Sequence, residues 1–140
     1  MSTTEISPLT DTRPTARARG TAVIAAVCAA LVVWIIAAPL LGVALTVVQG
    51  AGTQQVGPAA VLLVSALVGL AGWALLAVLE RWTRSARSIW TALAGVVTLV
   101  SLAGPLSATT TSATVSLTCL HLAVAAVLMS LLGRSAAVRR

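Results

Sequence analysis

Glu80-Arg81-Trp82-Thr83-Arg84-Ser85-Ala86-Arg87 holds every charged side chain found between residues 20 and 133. On one side of it, Gly20 to Leu79 carries no charge; on the other, Ser88 to Gly133 carries none. Arg13, Arg17 and Arg19 precede the first uncharged block, and Arg134, Arg139 and Arg140 follow the second. With Arg81, Arg84 and Arg87 they make up all 9 basic residues of the chain, which has no lysine.

Charge this sparse belongs with a membrane. The chain is 59% hydrophobic and 9% charged, with a mean hydropathy of +1.03, whereas about a quarter of the residues of a soluble domain are charged. Inside hydrocarbon each backbone donor and acceptor must be paired within the protein, so spans are helices or a closed barrel. Barrel strands alternate polar and apolar residues, but Ala22 to Leu41 and Ala59 to Leu79 are apolar nearly all round. Helices are expected.

A helix crosses the core in about 20 residues, so each uncharged block is too long for one crossing and must fold back. Turn chemistry lies near the middle of both: Gln49-Gly-Ala-Gly-Thr-Gln-Gln-Val-Gly-Pro58 in the first, and Gly104-Pro-Leu-Ser-Ala-Thr-Thr-Thr-Ser112 in the second. The reading is an all-α, four-helix transmembrane bundle made of two helical hairpins. Its spans are expected at about 20–41, 58–79, 88–106 and 112–133. Pro58 suits a first helical turn, where no amide partner is required. Ala38-Pro39-Leu40 and Gly104-Pro105-Leu106 end the first and third spans alike, an echo too short to establish duplication.

Short arginine-rich loops stay cytoplasmic. With four spans the three arginine groups share one face, which places both termini in the cytoplasm. Trp82 and Trp90 flank the charged connection, where indole rings favour the headgroup region. Residues 1–19, rich in Thr, Ser, Pro and Arg, read as a disordered cytoplasmic tail, and 134–140 as a cytoplasmic C-terminal tail. The first span is longer than a signal-peptide core and reads as an uncleaved anchor.

The net charge of +6 raises nucleic acid as a partner, but that needs a basic patch along one face. Here the arginines sit in short segments beside the spans, so anionic lipid headgroups are the nearer partner, and no nucleic acid is expected. The chain lacks Lys, Phe, Tyr and Asn, residues with AT-rich codons, which points to a GC-rich bacterial genome. Cys28 and Cys119 lie in apolar runs at depths differing by roughly 9 Å, too far apart for a bridge. One histidine and two separated cysteines make no metal cluster, and no cofactor is expected.

His121 is the titratable group, thiols aside, expected near mid-membrane, roughly 18 Å from the inner boundary. Thr114, Thr118 and His121 are spaced i, i+4, i+7 and share a helical face. One reading is a proton-relay or small polar ligand site. The other is an imidazole that orients packing, with threonines bonded back to their own helix; a relay would need a second titratable group, and none is near. Glu80 stands four residues before Arg84, spacing for a weak ion pair and no basis for catalysis. Ala22, Ala26 and Ala30, and Ser65 with Gly69 beside Gly72, form small-residue ridges for close helix contact, within one subunit or between copies. Val43, Leu45 and Val47 alternate before Gly50, as in a short extended lip over the bundle.

Several runs resemble an uncharacterised family of small four-span actinobacterial membrane proteins, catalogued as a domain of unknown function. They are Val56-Gly-Pro-Ala-Ala60, Gly69-Leu-Ala-Gly-Trp-Ala-Leu-Leu-Ala-Val-Leu-Glu-Arg81, Ser101-Leu-Ala-Gly-Pro-Leu-Ser107 and His121-Leu-Ala-Val-Ala-Ala-Val-Leu-Met129. The resemblance covers nearly all of the chain after residue 19. It implies the fold and a bacterial plasma membrane, and no catalytic residues. The expected role is a non-enzymatic structural or interaction component that contacts lipids, other membrane proteins or copies of itself. The alternative is an oligomeric small-solute or proton-linked transporter or channel subunit using His121; small multidrug exporters share the span number but carry a carboxylate in the first span, absent here.

Overall fold

The computed structural model describes residues 13–137, with side chains over 15–136. Four helices dominate: α1 (Arg13–Ile35), α2 (Pro58–Trp82), α3 (Ala86–Ser101) and α4 (Thr111–Ala137). All four, with their short extensions, are long and apolar enough to cross a membrane. Between α1 and α2 lies an antiparallel pair of strands, β1 (Thr46–Gln49) and β2 (Gly52–Gln55). The all-α reading is therefore right for the bundle and incomplete at one end.

Helix bounds differ from the sequence reading where side chains supply partners. α1 already begins at Arg13, so the part of the expected tail from residue 13 to 19 is helical; residues 1–12 lie outside the described residues. α4 likewise continues past Gly133 to Ala137, and Arg139 and Arg140 lie outside. Its start is set by Thr110, whose Oγ1 accepts from the Ala113 amide at 3.2 Å, an N-cap that satisfies one of the open first-turn donors. α3 stops at Ser101, and Pro105–Ser107 adds a separate 3-10 turn.

At the far end of α1 the helix widens into a π-helical turn over Ile36–Leu40, with Pro39 inside it. Pro39 has no amide to donate, and its ring crowds the carbonyl one turn back. Two residues on, the Leu41 amide donates to the Ile36 carbonyl five positions back at 3.0 Å. Gly42, with φ +66, then ends the helix. The chain continues into β1, turns at Gly50 (φ +62) and returns as β2, Thr46 paired with Gln55 and Val48 with Thr53. Gly50 takes the first central position of the two-residue turn, where a type II′ hairpin needs positive φ. The strands cap the bundle. Leu45 is buried with Ala37, Ala113 and Leu117, the Trp34 indole donates to the Val56 carbonyl at 3.0 Å, and the Thr109 amide donates to the Thr46 carbonyl at 3.0 Å.

α1 packs against both α2 and α4, and α3 lies against α2 and α4. Ala22, Ala26 and Ala30 are wholly buried in the main core with Leu76, Trp90, Leu128 and Leu132. A Cβ placed on Gly69 would stand 2.9 Å from Val23 Cγ1, so α1 and α2 meet at the distance that only glycine allows there. Both small-residue ridges are thus used inside the subunit. The large apolar side chains mostly point out: Ile24, Leu63, Leu99 and Val100 are each exposed. In water such a surface would aggregate; against lipid tails it is the matching surface.

Candidate functional site

At the end of the bundle where α1 begins and α2 and α4 finish, one arginine turns inward. Arg19 Nη2 donates to Glu80 Oε1 at 2.5 Å, with the two side chains 5% and 10% exposed. Its Nε donates to Ser135 Oγ at 3.3 Å, and that hydroxyl donates to the Leu132 carbonyl at 2.7 Å. Three helices are joined by one charged knot. The sequence reading placed Arg19 among the headgroup arginines and set Glu80 beside Arg84; the structure pairs Glu80 with Arg19 instead. A helix that starts at Arg13 carries Arg19 onto its inner face, one turn before Ala22 and Val23. There a carboxylate is the partner that makes burial of a guanidinium tolerable.

Arg17, Arg81, Arg84, Arg87 and Arg134 are exposed. The three of the α2–α3 connection line a shallow basin with Thr83, Ser85 and Ser88. Trp82 is 86% exposed beside them. Trp90, expected at the headgroups as well, is instead 2% exposed in the core, its indole donating to the Gly72 carbonyl at 3.1 Å. An amide carbonyl within reach of the ring nitrogen removes the reason for it to seek water.

The polar stripe of α4 divides. Thr114 Oγ1 donates to the Thr110 carbonyl at 3.1 Å, so it is satisfied by its own helix. His121 Nδ1 lies 2.7 Å from the Leu117 carbonyl. A carbonyl only accepts, so Nδ1 carries the proton, and in the neutral ring Nε2 is left as an acceptor. Thr118 is half-buried and makes no side-chain hydrogen bond among the described residues. The three do not form a shared site: His121 lines a cleft, and Thr114 and Thr118 do not.

That cleft, of about 740 Å³, is the feature the sequence did not reveal. Its walls are one face each of α2, α3 and α4, and its upper end is closed by the strands and the turn at Pro105. Valines, leucines and alanines make up most of it. Its hydroxyls are spent locally: Ser65 donates to the Val61 carbonyl at 2.6 Å, Thr98 to Ala94 at 2.7 Å and Ser101 to Thr98 at 2.8 Å. Below the glutamines at the strand end, and His121 apart, walls that look partly polar in composition are therefore apolar to a ligand. Val64 and Val68 on α2 and Val97 on α3 are exposed along its edges, so it opens sideways between those helices.

Among the described residues no three His, Cys, Asp or Glu side chains gather as metal ligands. Cys28 and Cys119 are both free and exposed on the outer surface. No curated protein and no solved structure matches the chain. A likeness does run along nearly its whole length: residues 10–138 match the model of the family of unknown function DUF6069, and the chain belongs to that family.

Proposed function

We propose that the chain is a multi-pass protein of the bacterial plasma membrane, its helices crossing as two hairpins with both termini in the cytoplasm. It works without catalysis, through contacts with lipids and with other membrane proteins or further copies of itself. The observation that carries this reading is the distribution of surface chemistry. Exposed arginines gather at one end, the strands at the other end are polar and uncharged, and the belt between them is apolar. Guanidinium groups at one boundary favour anionic headgroups there and hold that boundary inside.

Reporter fusions test the orientation. A phosphatase fused after Arg140 stays inactive and one inserted at Ala51 is active if both termini are cytoplasmic; the reverse pattern overturns the proposal. Cross-linking in native membranes, with identification of the protein or lipid recovered, tests the mode of action. Recovery of a substrate turned over by the purified chain would remove the non-enzymatic reading.

One observation favours a transporter or channel subunit as the second reading: His121 lines the lateral cleft. His121→Ala separates the two. Loss of a pH-dependent flux in proteoliposomes supports transport, and a change confined to thermal stability supports the structural role.

A further inference from the structure

The geometry points to the cleft between α2, α3 and α4 as a binding site for a neutral glycerolipid. Its hydrocarbon chain runs down the helix walls, and its hydroxyl-bearing headgroup lies against the carboxamides of Gln49, Gln54 and Gln55. This rests on the four-span reading and names the lipid contact that reading leaves open.

Space of about 740 Å³ does not stay empty beside a fluid bilayer. Vacant, it would forfeit dispersion contacts along three helices. Water is a poor occupant of the helix walls, because each molecule needs two to four polar partners; the wall hydroxyls already bond to their own helices, and His121 Nε2 offers a single acceptor. Hydrocarbon fits the lining. The opening between α2 and α3 admits a chain sideways from the membrane.

Length and polarity narrow the occupant. Along α2 the lining runs from Ala60 to Leu75, about 22 Å of helix at 1.5 Å per residue. Half of the ~30 Å hydrocarbon core is about 15 Å, so a chain from one leaflet lies wholly within the cleft. At the strand end the lining offers glutamines, which donate and accept. Among the described residues no Arg, Lys, Asp or Glu lines the cleft; the arginines lie at the opposite end, and His121 stands on the α4 wall, away from the glutamines at the strand end. A phosphate headgroup would find no cation here; a free hydroxyl finds a carboxamide.

The test uses the full chain in proteoliposomes and photo-crosslinking with a diacylglycerol that carries a diazirine on its acyl chain. Phosphatidylcholine and phosphatidylglycerol bearing the same chain serve as comparisons, with labelled peptides mapped by mass spectrometry. Diacylglycerol is expected to label the cleft faces of α2, α3 and α4 about fivefold more than phosphatidylcholine at equal mole fraction, the preference one added hydrogen bond gives. Unlabelled diacylglycerol competes. Ala71→Phe, or Val97→Trp from the opposite wall, removes cleft labelling while labelling near Ile24 on α1 persists, and Gln54→Ala with Gln55→Ala erases the headgroup preference. Equal cleft labelling by the three lipids, a preference for phosphatidylglycerol, or labelling unchanged by both filling variants overturns the site. Failure of the chain to insert into the vesicles overturns the four-span reading instead.

Discussion

Removing the Glu80 carboxylate should damage this protein more than removing both members of its ion pair. In Glu80→Leu the Arg19 guanidinium, 5% exposed, keeps Ser135 as its remaining side-chain partner. Breaking a buried pair by deleting one charge costs about 3–5 kcal/mol, because the other is left uncompensated. The knot lies at the end of the bundle, where headgroup water is close, so about 3 kcal/mol is expected. For a chain of this size that is roughly a 10 °C fall in Tm. Replacing both residues, Arg19→Met with Glu80→Leu, removes the stranded charge with its partner and should recover most of the loss. The assay is thermal unfolding in detergent micelles, followed by circular dichroism and by monodispersity, for the wild type, both single variants and the double. The cycle isolates the pairwise contribution, expected at about 3 kcal/mol, the upper end for groups in direct contact, so that the double variant loses little more than Arg19→Met alone. A Glu80→Leu protein as stable as wild type, or a double variant as unstable as the sum of the singles, would refute the view that the pair holds α1, α2 and α4 together.

Other substitutions follow from single contacts. Gly69→Leu forces a side chain against Val23, whose branched Cβ has little rotamer freedom, and should cost about 1–3 kcal/mol; Gly95→Leu, with nothing within 4 Å of its added Cβ, should leave the melting curve unchanged. His121→Leu removes a bond to a carbonyl of its own helix and should cost less than about 1 kcal/mol in the same assay, and a larger loss would mean that the imidazole holds another helix. Thr110→Val deletes the N-cap of α4 and should lower stability by about 1 kcal/mol, with Thr110→Ser close to wild type.

The parts legible in the sequence are those fixed by local chemistry and by the thickness of the membrane. Pro58 begins α2 at the residue read from its missing amide, and of the alternating Val43, Leu45 and Val47 the last falls in a paired strand, with the other two just before it. The uncharged blocks break where glycine and proline interrupt them. Helix ends moved for reasons that residue type alone does not carry. Arg17 and Arg19 read as tail while they lack partners; once α1 passes alongside α2 and α4, Arg19 meets Glu80 across 61 positions of sequence and the helix extends outward with it. Against that contact the nearby i,i+4 neighbour Arg84 cannot compete, since an exposed pair of that kind is worth a few tenths of a kcal/mol.

The cleft was hidden for a different reason. Periodicity identifies which residues share a face, and Thr114, Thr118 and His121 do share one. It does not identify which face stands opposite a gap. The cleft wall on α4 runs through Leu117, His121, Val124 and Leu128, and it meets the polar stripe at His121 alone. The cleft hydroxyls on α2 and α3 are hidden as well: Ser65, Thr98 and Ser101 turn back to carbonyls a turn earlier. In a bilayer that local bond is the cheapest way to hide a hydroxyl, since no water competes for it. A span can therefore carry serine and threonine and still present hydrocarbon to whatever lies beside it. Whether such a face is closed by a helix or left for a lipid depends on how closely its neighbours pack. Here Gly69 draws α1 against α2, and the adjoining face of α2, about 100° or more round the helix, where Val64 and Val68 stand exposed at the cleft edge, is left open to the membrane.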